Sequence, residues 1–397
     1  MRYIMEIWKR NLAVCWFGVF AISSGMSQIL PILPLYIEQL GIHDTAEIAQ
    51  WSGWAFGINF ISLAIFSPIW GKAADKYGRK PMLLRASLWL SIIMTCMGFA
   101  QNVYQLVGLR MLQGALAGFI SAAITLIAVQ TPTEHSGWAL GTISTASVGG
   151  TLLGPLLGGF VSDTLGMRSV FLFIGILSLL AFFLTWLFVR EKFTRPEEKS
   201  SNFHEIWGLL PDQKLIVSMF VTTFALSAAL MSVQPILTVY IAQLVQGGAY
   251  IALISGAVFA SSGLASMLAA SWLGSLSDRI GPPKVMLGAL IAAGVLFIPQ
   301  AFVKTAWQLG VLRFMIGLAT AGLLPSINSL IKRSTPDTLT GRIFGYNQSA
   351  QFLGSFGGSV LGGGIAAMWG VQSVFFFTGI LLLANAAWVY KMVYRQC

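Results

Sequence analysis

Pro31-Ile-Leu-Pro-Leu-Tyr-Ile-Glu-Gln-Leu40 returns as Pro235-Ile-Leu-Thr-Val-Tyr-Ile-Ala-Gln-Leu244, a displacement of 204 residues (235 − 31). Working outward, Gly71-Lys-Ala-Ala-Asp75-Lys-Tyr-Gly78 returns as Gly274-Ser-Leu-Ser-Asp278-Arg-Ile-Gly281. Leu109-Arg110-Met-Leu-Gln-Gly114 returns as Leu312-Arg313-Phe-Met-Ile-Gly317, and Ser169-Val-Phe171 as Ser373-Val-Phe375. Landmarks spread over a half-chain keep one offset of 203 or 204, so the chain is a duplicated domain.

The charged fraction is 10% and the apolar fraction 56% over 397 residues, where a soluble protein carries about 25% charged residues. Most of the surface must therefore face lipid. Apolar stretches recur at about the 20-residue length that crosses a ~30 Å hydrocarbon core. They predict spans near 12–38, 48–70, 82–100, 104–129, 138–162 and 168–190, then 215–243, 250–274, 284–303, 307–331, 342–368 and 371–390. The expected fold is an all-α integral membrane protein with twelve transmembrane helices in two pseudo-symmetric six-helix bundles. Two similar halves around one cavity are the pattern of a secondary transporter.

The net charge is +10, but its distribution argues against nucleic acid. Of 24 Lys and Arg, only Arg168 and Lys304 fall in odd-numbered loops, and Arg85, Arg110 and Arg313 lie inside spans. The other nineteen (24 − 2 − 3) lie at the termini or in even-numbered loops. The positive-inside rule places both termini in the cytoplasm. Residues 191–214 are charged, contain Pro196 and Pro211, and read as a cytoplasmic linker between domains 1–190 and 215–397. A tether of that kind leaves two bundles free to move as rigid bodies. Cys15, Cys96 and Cys397 stand far apart in no metal-ligand spacing. The first span is long, ends in Glu38 and reads as an uncleaved helix.

Gly71, Asp75, Gly78, Arg79 and Lys80 stand between spans 2 and 3. The glycines permit close backbone approach and a turn, and Asp75 sets one negative charge among cations. A carboxylate there suits a neighbouring helix N-terminus. Such contacts, joined by Asp278 from the second copy, form the candidate cytoplasmic gate. The bland reading of the cations is a solvated basic loop. This string resembles the signature loop of the major facilitator superfamily, G-x-x-x-D-(R/K)-x-G-R-(K/R), with Gly281-Pro-Pro-Lys284 departing from it in the second half.

Span 4 carries Arg110-Met-Leu-Gln113-Gly114, and Ala115, Ala117 and Gly118 leave room for close packing. An arginine inside an apolar helix is costly unless it faces the bundle interior, water or a partner. Resemblance to the twelve-span drug:proton antiporter branch implies a role for Arg110 in proton transfer; the alternative is a structural arginine. Arg313 is its repeat mate, with Ile316 in place of the glutamine. On span 5, Gly141, Gly150, Gly154-Pro155 and Gly158-Gly159 match the antiporter motif of the superfamily. Glycines at helical spacing let backbones touch, and Pro155 removes a helix hydrogen bond. Span 11 repeats the lattice as Gly345, Gly354, Gly358, Gly362 and Gly363, with Ser359 replacing the proline. In this family the motif goes with export. Trp8-Lys-Arg-Asn11, Tyr36-Ile-Glu-Gln-Leu-Gly41, Ser136-Gly-Trp-Ala-Leu-Gly-Thr142 and Gly341-Arg-Ile-Phe-Gly-Tyr-Asn-Gln-Ser349 are similar to one bacterial multidrug exporter of that branch. The resemblance implies proton-driven efflux of drugs or amphipathic compounds across the bacterial inner membrane.

No Asp or Glu lies mid-span among the fourteen. Glu38 stands roughly 13 residues past the centre of span 1, about 20 Å along the helix. Asp163 ends span 5 on the same side and Arg110 enters from it, so a proton relay among Glu38, Asp163 and Arg110 rests on shared depth. Glu38 as a plain interface residue is the alternative. If the superfamily architecture holds, spans 1, 2, 4, 5, 7, 8, 10 and 11 line a cavity. Candidate lining residues are Gln28, Trp54, Asn59, Phe119, Thr125, Met231, Gln234, Asn328, Tyr346, Asn347 and Gln351. Aromatic and methionine surface suits apolar ligands without fixing a shape.

The chain is expected to act as a monomer without a cofactor, with a small-molecule substrate, protons and the lipid bilayer as partners. A dedicated exporter of one metabolite, such as a siderophore, is the rival reading. An intramembrane enzyme needs paired acid/base groups or a metal cluster, and the three His and three Cys offer no such spacing. A primary pump needs a nucleotide-binding Gly-Lys-Ser/Thr loop, absent here. The second copy lacks the Gly-Arg-Lys turn, the glutamine, the seam proline and a match for Glu38, so the first half is expected to run the coupling.

Overall fold

The computed structural model describes the backbone of residues 2–191, 193, 207–208, 210–245 and 250–394; the side chains at 2–6, 271, 278, 337 and 338 fall outside it. Every regular element among the described residues is helical, and twelve helices are long and apolar enough to cross a membrane. In a bilayer only helices and closed barrels satisfy every backbone group internally. Spans 1 to 6 are Arg2–Gln39, Thr45–Tyr77, Arg79–Gly98, Val103–Gln130, Ser136–Leu165 and Met167–Phe188. Spans 7 to 12 are Gln213–Val245, Ile251–Ile280, Pro282–Phe302, Ala306–Arg333, Asp337–Trp369 and Val371–Tyr394. Span 1 starts earlier than hydropathy suggests, and span 2 continues to Tyr77 through Lys72 and Asp75. A helix satisfies its own backbone, so it continues past the hydrocarbon edge into polar surroundings.

The duplication extends to backbone conformation and to individual contacts. Single glycines join spans 2 to 3, 5 to 6, 8 to 9 and 11 to 12: Gly78 at φ +93°, Gly166 at +87°, Gly281 at +93° and Gly370 at +86°. A turn of one residue between two helices demands this left-handed geometry, which costs any residue with a Cβ roughly 1–2 kcal/mol. Tyr36 is fully buried; its hydroxyl donates to Met97 O at 2.7 Å and its ring lies 4.8 Å from Phe171. The repeat mates reproduce this: Tyr240 donates to Gln300 O at 3.0 Å and lies 5.1 Å from Phe375. A buried phenol needs such a partner.

Spans 4 and 10 are each interrupted, which hydropathy does not show. Span 4 breaks between Ala115 and Phe119, with Gly118 at φ +122°, and span 10 between Thr320 and Leu323. Ala117 and Gly118, expected to give close packing, form the break instead. Carbonyls freed there need donors. Trp70 Nε1 donates to Ala115 O at 2.6 Å and Arg85 Nη2 to Ala117 O at 2.7 Å. The Arg85 guanidinium lies 3.4 Å from the Trp70 ring centroid. Leu273, the repeat mate of Trp70, has no such donor and packs at Gly322.

The chain sorts into two compact units. The first holds Met1–Gly41, Ile61–Glu197 and Gly248–Ala260, and the second Ile42–Phe60, Glu198–Gly247 and Ser261–Cys397. Spans 2 and 8 thus each place their N-terminal part in the unit opposite to the rest of the helix. The core of the first unit joins Cys15, Val19 and Ile22 of span 1 to Phe119, Ala123 and Ile127 of span 4 and Ile143 and Ala146 of span 5.

Candidate functional site

The glycines of span 5 divide into two faces. On one, four residues apart, Gly150, Gly154 and Gly158 lie against span 1. A Cβ added at Gly150 would stand 2.7 Å from Phe20 O, at Gly154 2.5 Å from Ser24 O, and at Gly158 2.7 Å from Gln28 O. Side chains of any size would force the helices apart. Ser27 Oγ completes this face, its one proton shared between Gly150 O at 3.0 Å and Ser23 O at 2.9 Å. Gly141 is different: nothing lies within 4 Å of its Cβ position.

The second face is the stripe Pro155, Gly159 and Asp163, and it meets the first turns of span 8. A Cβ at Gly159 would stand 2.6 Å from Leu253 Cα, and Gly256 lies against the Pro155 carbonyl. At the end of the stripe Asp163 Oδ2 accepts a 2.8 Å hydrogen bond from Leu253 N–H.

The second unit repeats the arrangement on span 11. Cβ atoms at Gly354, Gly358 and Gly362 would stand 3.0, 2.6 and 2.7 Å from the Cα atoms of Phe224, Ala228 and Ser232 on span 7. Gly363 meets Ala49 O and Gly53 of span 2, and a Cβ added at Gly53 would stand 2.6 Å from Ser359 O. Each contact is the repeat mate of one in the first unit. The proline is not needed for it, since the carbonyl of Ser359 does what that of Pro155 does.

Arg110 is buried and its Nη1 donates to Gln113 Oε1 at 2.8 Å, one turn along span 4. The guanidinium is permanently charged and the glutamine oxygen is a neutral acceptor, so this pair orients the arginine without neutralising it. Arg313 is buried as well, with its guanidinium 5.6 Å from the Phe297 ring. Glu38 is exposed at the end of span 1, and Asp163 is exposed and bound to Leu253.

In the signature loop Asp75 pairs with Arg79, Oδ1 to Nη2 at 2.6 Å. The N-terminus of span 3 is capped by Glu191, whose carboxylate accepts from Arg79 N–H at 2.8 Å and Lys80 N–H at 2.7 Å. Lys80 Nζ donates to Trp186 O. A Cβ at Gly78 would stand 2.9 Å from Glu191 Oε2, whereas Gly71 has open space. The side chain of Asp278 lies outside the described residues. Next to Glu191, Arg190 N–H donates to Asn11 Oδ1 at 3.1 Å, and Asn11 Nδ2 donates to Gln130 Oε1 at 2.6 Å and Arg190 O at 2.7 Å. Spans 1, 3 and 4 therefore meet the chain where the linker begins. Sequence reasoning missed Glu191 and Asn11; the only sign of Glu191 is its place as the first acid after span 6.

Among the cavity candidates, Gln28, Asn59, Phe119 and Asn347 are buried. Gln28 Nε2 donates to Ser24 Oγ at 3.1 Å, and the Phe119 ring closes on Gly18 inside the first unit. Met231, Gln234, Tyr346, Thr125 and Gln351 are half-buried, Asn328 is exposed, and Trp54 is exposed and meets the Phe356 ring at 6.4 Å. Among the described residues no group of three or more His, Cys, Asp or Glu is placed to hold a metal.

The family description Major Facilitator Superfamily matches residues 15–273 and 219–395. The chain belongs to the major facilitator superfamily. Its relatives within that superfamily include multidrug resistance protein MdtG of Citrobacter koseri, 45% identical over 391 residues, covering 98% of this chain and 96% of that one. MdtG of Enterobacter lignolyticus is 44% identical, covering 96% and 91%. Solved facilitators share the fold at low identity. A variant of nucleoside transporter NupG matches with TM-score 0.78 at 12% identity, over 97% of this chain and 100% of that one. A bacterial homolog of the human lysosomal transporter Spinster, inward-facing and occupied, matches with TM-score 0.76 at 15%, over 100% and 98%. The chain is thus a multi-pass membrane transporter of small molecules, not an enzyme.

Proposed function

We propose that this facilitator is a proton-coupled efflux antiporter that exports drugs or other amphipathic small molecules by alternating access. It works as a monomer in the bacterial inner membrane, with both termini cytoplasmic. The observation that carries this reading is the seam on span 5. The glycines at 150, 154, 158 and 159 all touch backbone, three against span 1 and one against span 8. Export as the direction follows from the family association of that motif, and drugs as the substrate class from the MdtG relatives.

Helices in backbone contact slide and tilt with little steric resistance and leave no room for water, so the seam moves without leaking protons. Arg110, fixed by Gln113, places a permanent positive charge inside the first unit. Proton transfer then belongs to the carboxylates Glu38 and Asp163 acting with Arg110. The candidate gate at the cytoplasmic end comprises Gly71, Asp75, Gly78, Arg79, Lys80 and, from the second half, Asp278. Within it Glu191 holds the start of span 3. Gln28, Trp54, Asn59, Phe119, Met231, Gln234, Asn328, Tyr346 and Asn347 contribute to the substrate cavity.

Inverted membrane vesicles test the proposal. Acidifying the lumen should drive a panel of amphipathic drugs inward, with counterflow of protons. If no compound moves under the imposed gradient, the antiport reading is wrong. Uptake of a single metabolite with no drug would instead select a dedicated exporter.

A further inference from the structure

The stripe Pro155, Gly159 and Asp163 ends in a contact that the seam motif does not explain. Its first two positions meet span 8 backbone to backbone and carry nothing that titrates. The third is a carboxylate on a helix N-terminus. Leu253 is the third residue of span 8, and its N–H is one of the four that a helix cannot satisfy itself. Tyr250, the residue before this helix, stands at φ +66° and has no short polar side chain to cap it. Asp163 fills that role from span 5.

The second unit solves the same problem differently. Span 2, the repeat mate of span 8, is capped by its own Asp44, whose Oδ2 accepts from Glu47 N–H at 3.1 Å. The position equivalent to Asp163 on span 11 is Ala367. Among the described residues, only in the first unit does closure of the stripe depend on an ionisable group supplied by another span. That group is also exposed, so protons reach it from the bulk. At the same end, the elements packed against span 5 carry Glu38 on span 1, Arg168 at the start of span 6 and Tyr250 before span 8.

We infer that Asp163 is a proton-released latch at the outer end of the seam: its carboxylate holds span 8 to span 5, and proton uptake from the outside lets them part. The inference rests on the proposed antiport and orientation, and assigns Asp163 a positioning role. A carboxylate at a helix N-terminus gains from the macrodipole, and a neutral carboxyl does not. Protonation therefore weakens the closed seam when outside protons are abundant.

The test uses the full chain in lipid nanodiscs, with Cys15, Cys96 and Cys397 replaced by Ser. Spin labels are placed on Phe160→Cys and Ala257→Cys, both at exposed positions beside the stripe. Pulsed electron spin resonance reads the fraction of molecules in which the two helices have separated. With Asp163 intact, that fraction should rise on acidification. Asp163→Ala should raise it about five-fold before any acid is added, the typical effect of losing a cap, and abolish the acid response. Asp163→Asn, which keeps an acceptor, should remain closed and ignore acid; a purely structural cap predicts no such loss of pH response. An acid response in Asp163→Asn equal to that of the parent overturns the proposal, as does a closed Asp163→Ala. Transport in vesicles separates this failure from that of antiport: proton-driven uptake with unmoved spin distances refutes the latch alone. Acid-driven separation without proton-driven uptake refutes antiport alone.

Discussion

Gly141 and Gly154 belong to one motif and should respond oppositely to the same substitution. In Gly154→Ala the new methyl would stand 2.5 Å from Ser24 O and overlap Ser27 Oγ. Reaching an ordinary carbon–oxygen separation of ~3.3 Å requires spans 1 and 5 to part by about 0.8 Å. Ser27 then loses Gly150 O as an acceptor but keeps Ser23 O at 2.9 Å on its own helix, so little hydrogen-bond energy is lost. Overpacking of this kind costs roughly 1–3 kcal/mol, partly offset by the roughly 0.5–1 kcal/mol that Ala gains over Gly in a helix. The net expectation is ~0.5–2.5 kcal/mol of destabilisation, a fall of roughly 1–3 °C in Tm for a chain of this length. In Gly141→Ala the methyl meets open space, so only the helix gain remains and Tm should hold or rise by about 1 °C. Thermal unfolding of both variants in detergent at one scan rate decides the matter, since membrane-protein Tm values depend on rate. Equal losses at 141 and 154 would refute backbone contact as the reason for the motif.

Three further outcomes are expected. Tyr36→Phe and Tyr240→Phe each remove one buried hydroxyl bond and should destabilise by similar amounts, about 1–1.5 kcal/mol, in the same unfolding assay. Glu191→Ala strips two N–H groups of span 3 of their acceptor; a loss of about 1–2 kcal/mol is expected, with Asp75→Ala, whose pair is exposed, costing at most about 0.5 kcal/mol. Trp70→Phe leaves the Ala115 carbonyl without its donor at the break in span 4. A cost of roughly 1–3 kcal/mol follows, with faster amide hydrogen exchange confined to residues around 115–122 as the local readout.

The duplication was legible in the sequence down to atoms. The offset that links Tyr36 to Tyr240 and Met97 to Gln300 also links the hydrogen bonds between them, because side chains that define a packing site are retained with it. The two faces of span 5 were half legible. Adjacent Gly158 and Gly159 cannot point the same way on a helix, yet nothing local tells which neighbour each one meets. The interruption of span 4 escaped hydropathy because it depends on donors from Trp70 and Arg85, remote in sequence. Glu191 was hidden among the charges that mark the linker, since a cap from a distant carboxylate has no local pattern. Shared depth alone grouped Asp163 with Glu38 and Arg110, and the hydrogen bond to Leu253 N–H is a relation that depth does not contain.

The four one-residue glycine turns join spans 2 to 3, 5 to 6, 8 to 9 and 11 to 12. The first member of every pair is a seam helix. The second carries large exposed apolar side chains, such as Trp89, Trp186, Val295 and Ile380. A turn of one residue has no slack, so a seam helix cannot tilt without swinging its partner through the surrounding acyl chains. Each conformational step therefore does mechanical work on the bilayer. Transport rates in vesicles of graded acyl length should show this, falling where lipid thickness resists the swing, which would make the membrane itself a load on the transport cycle.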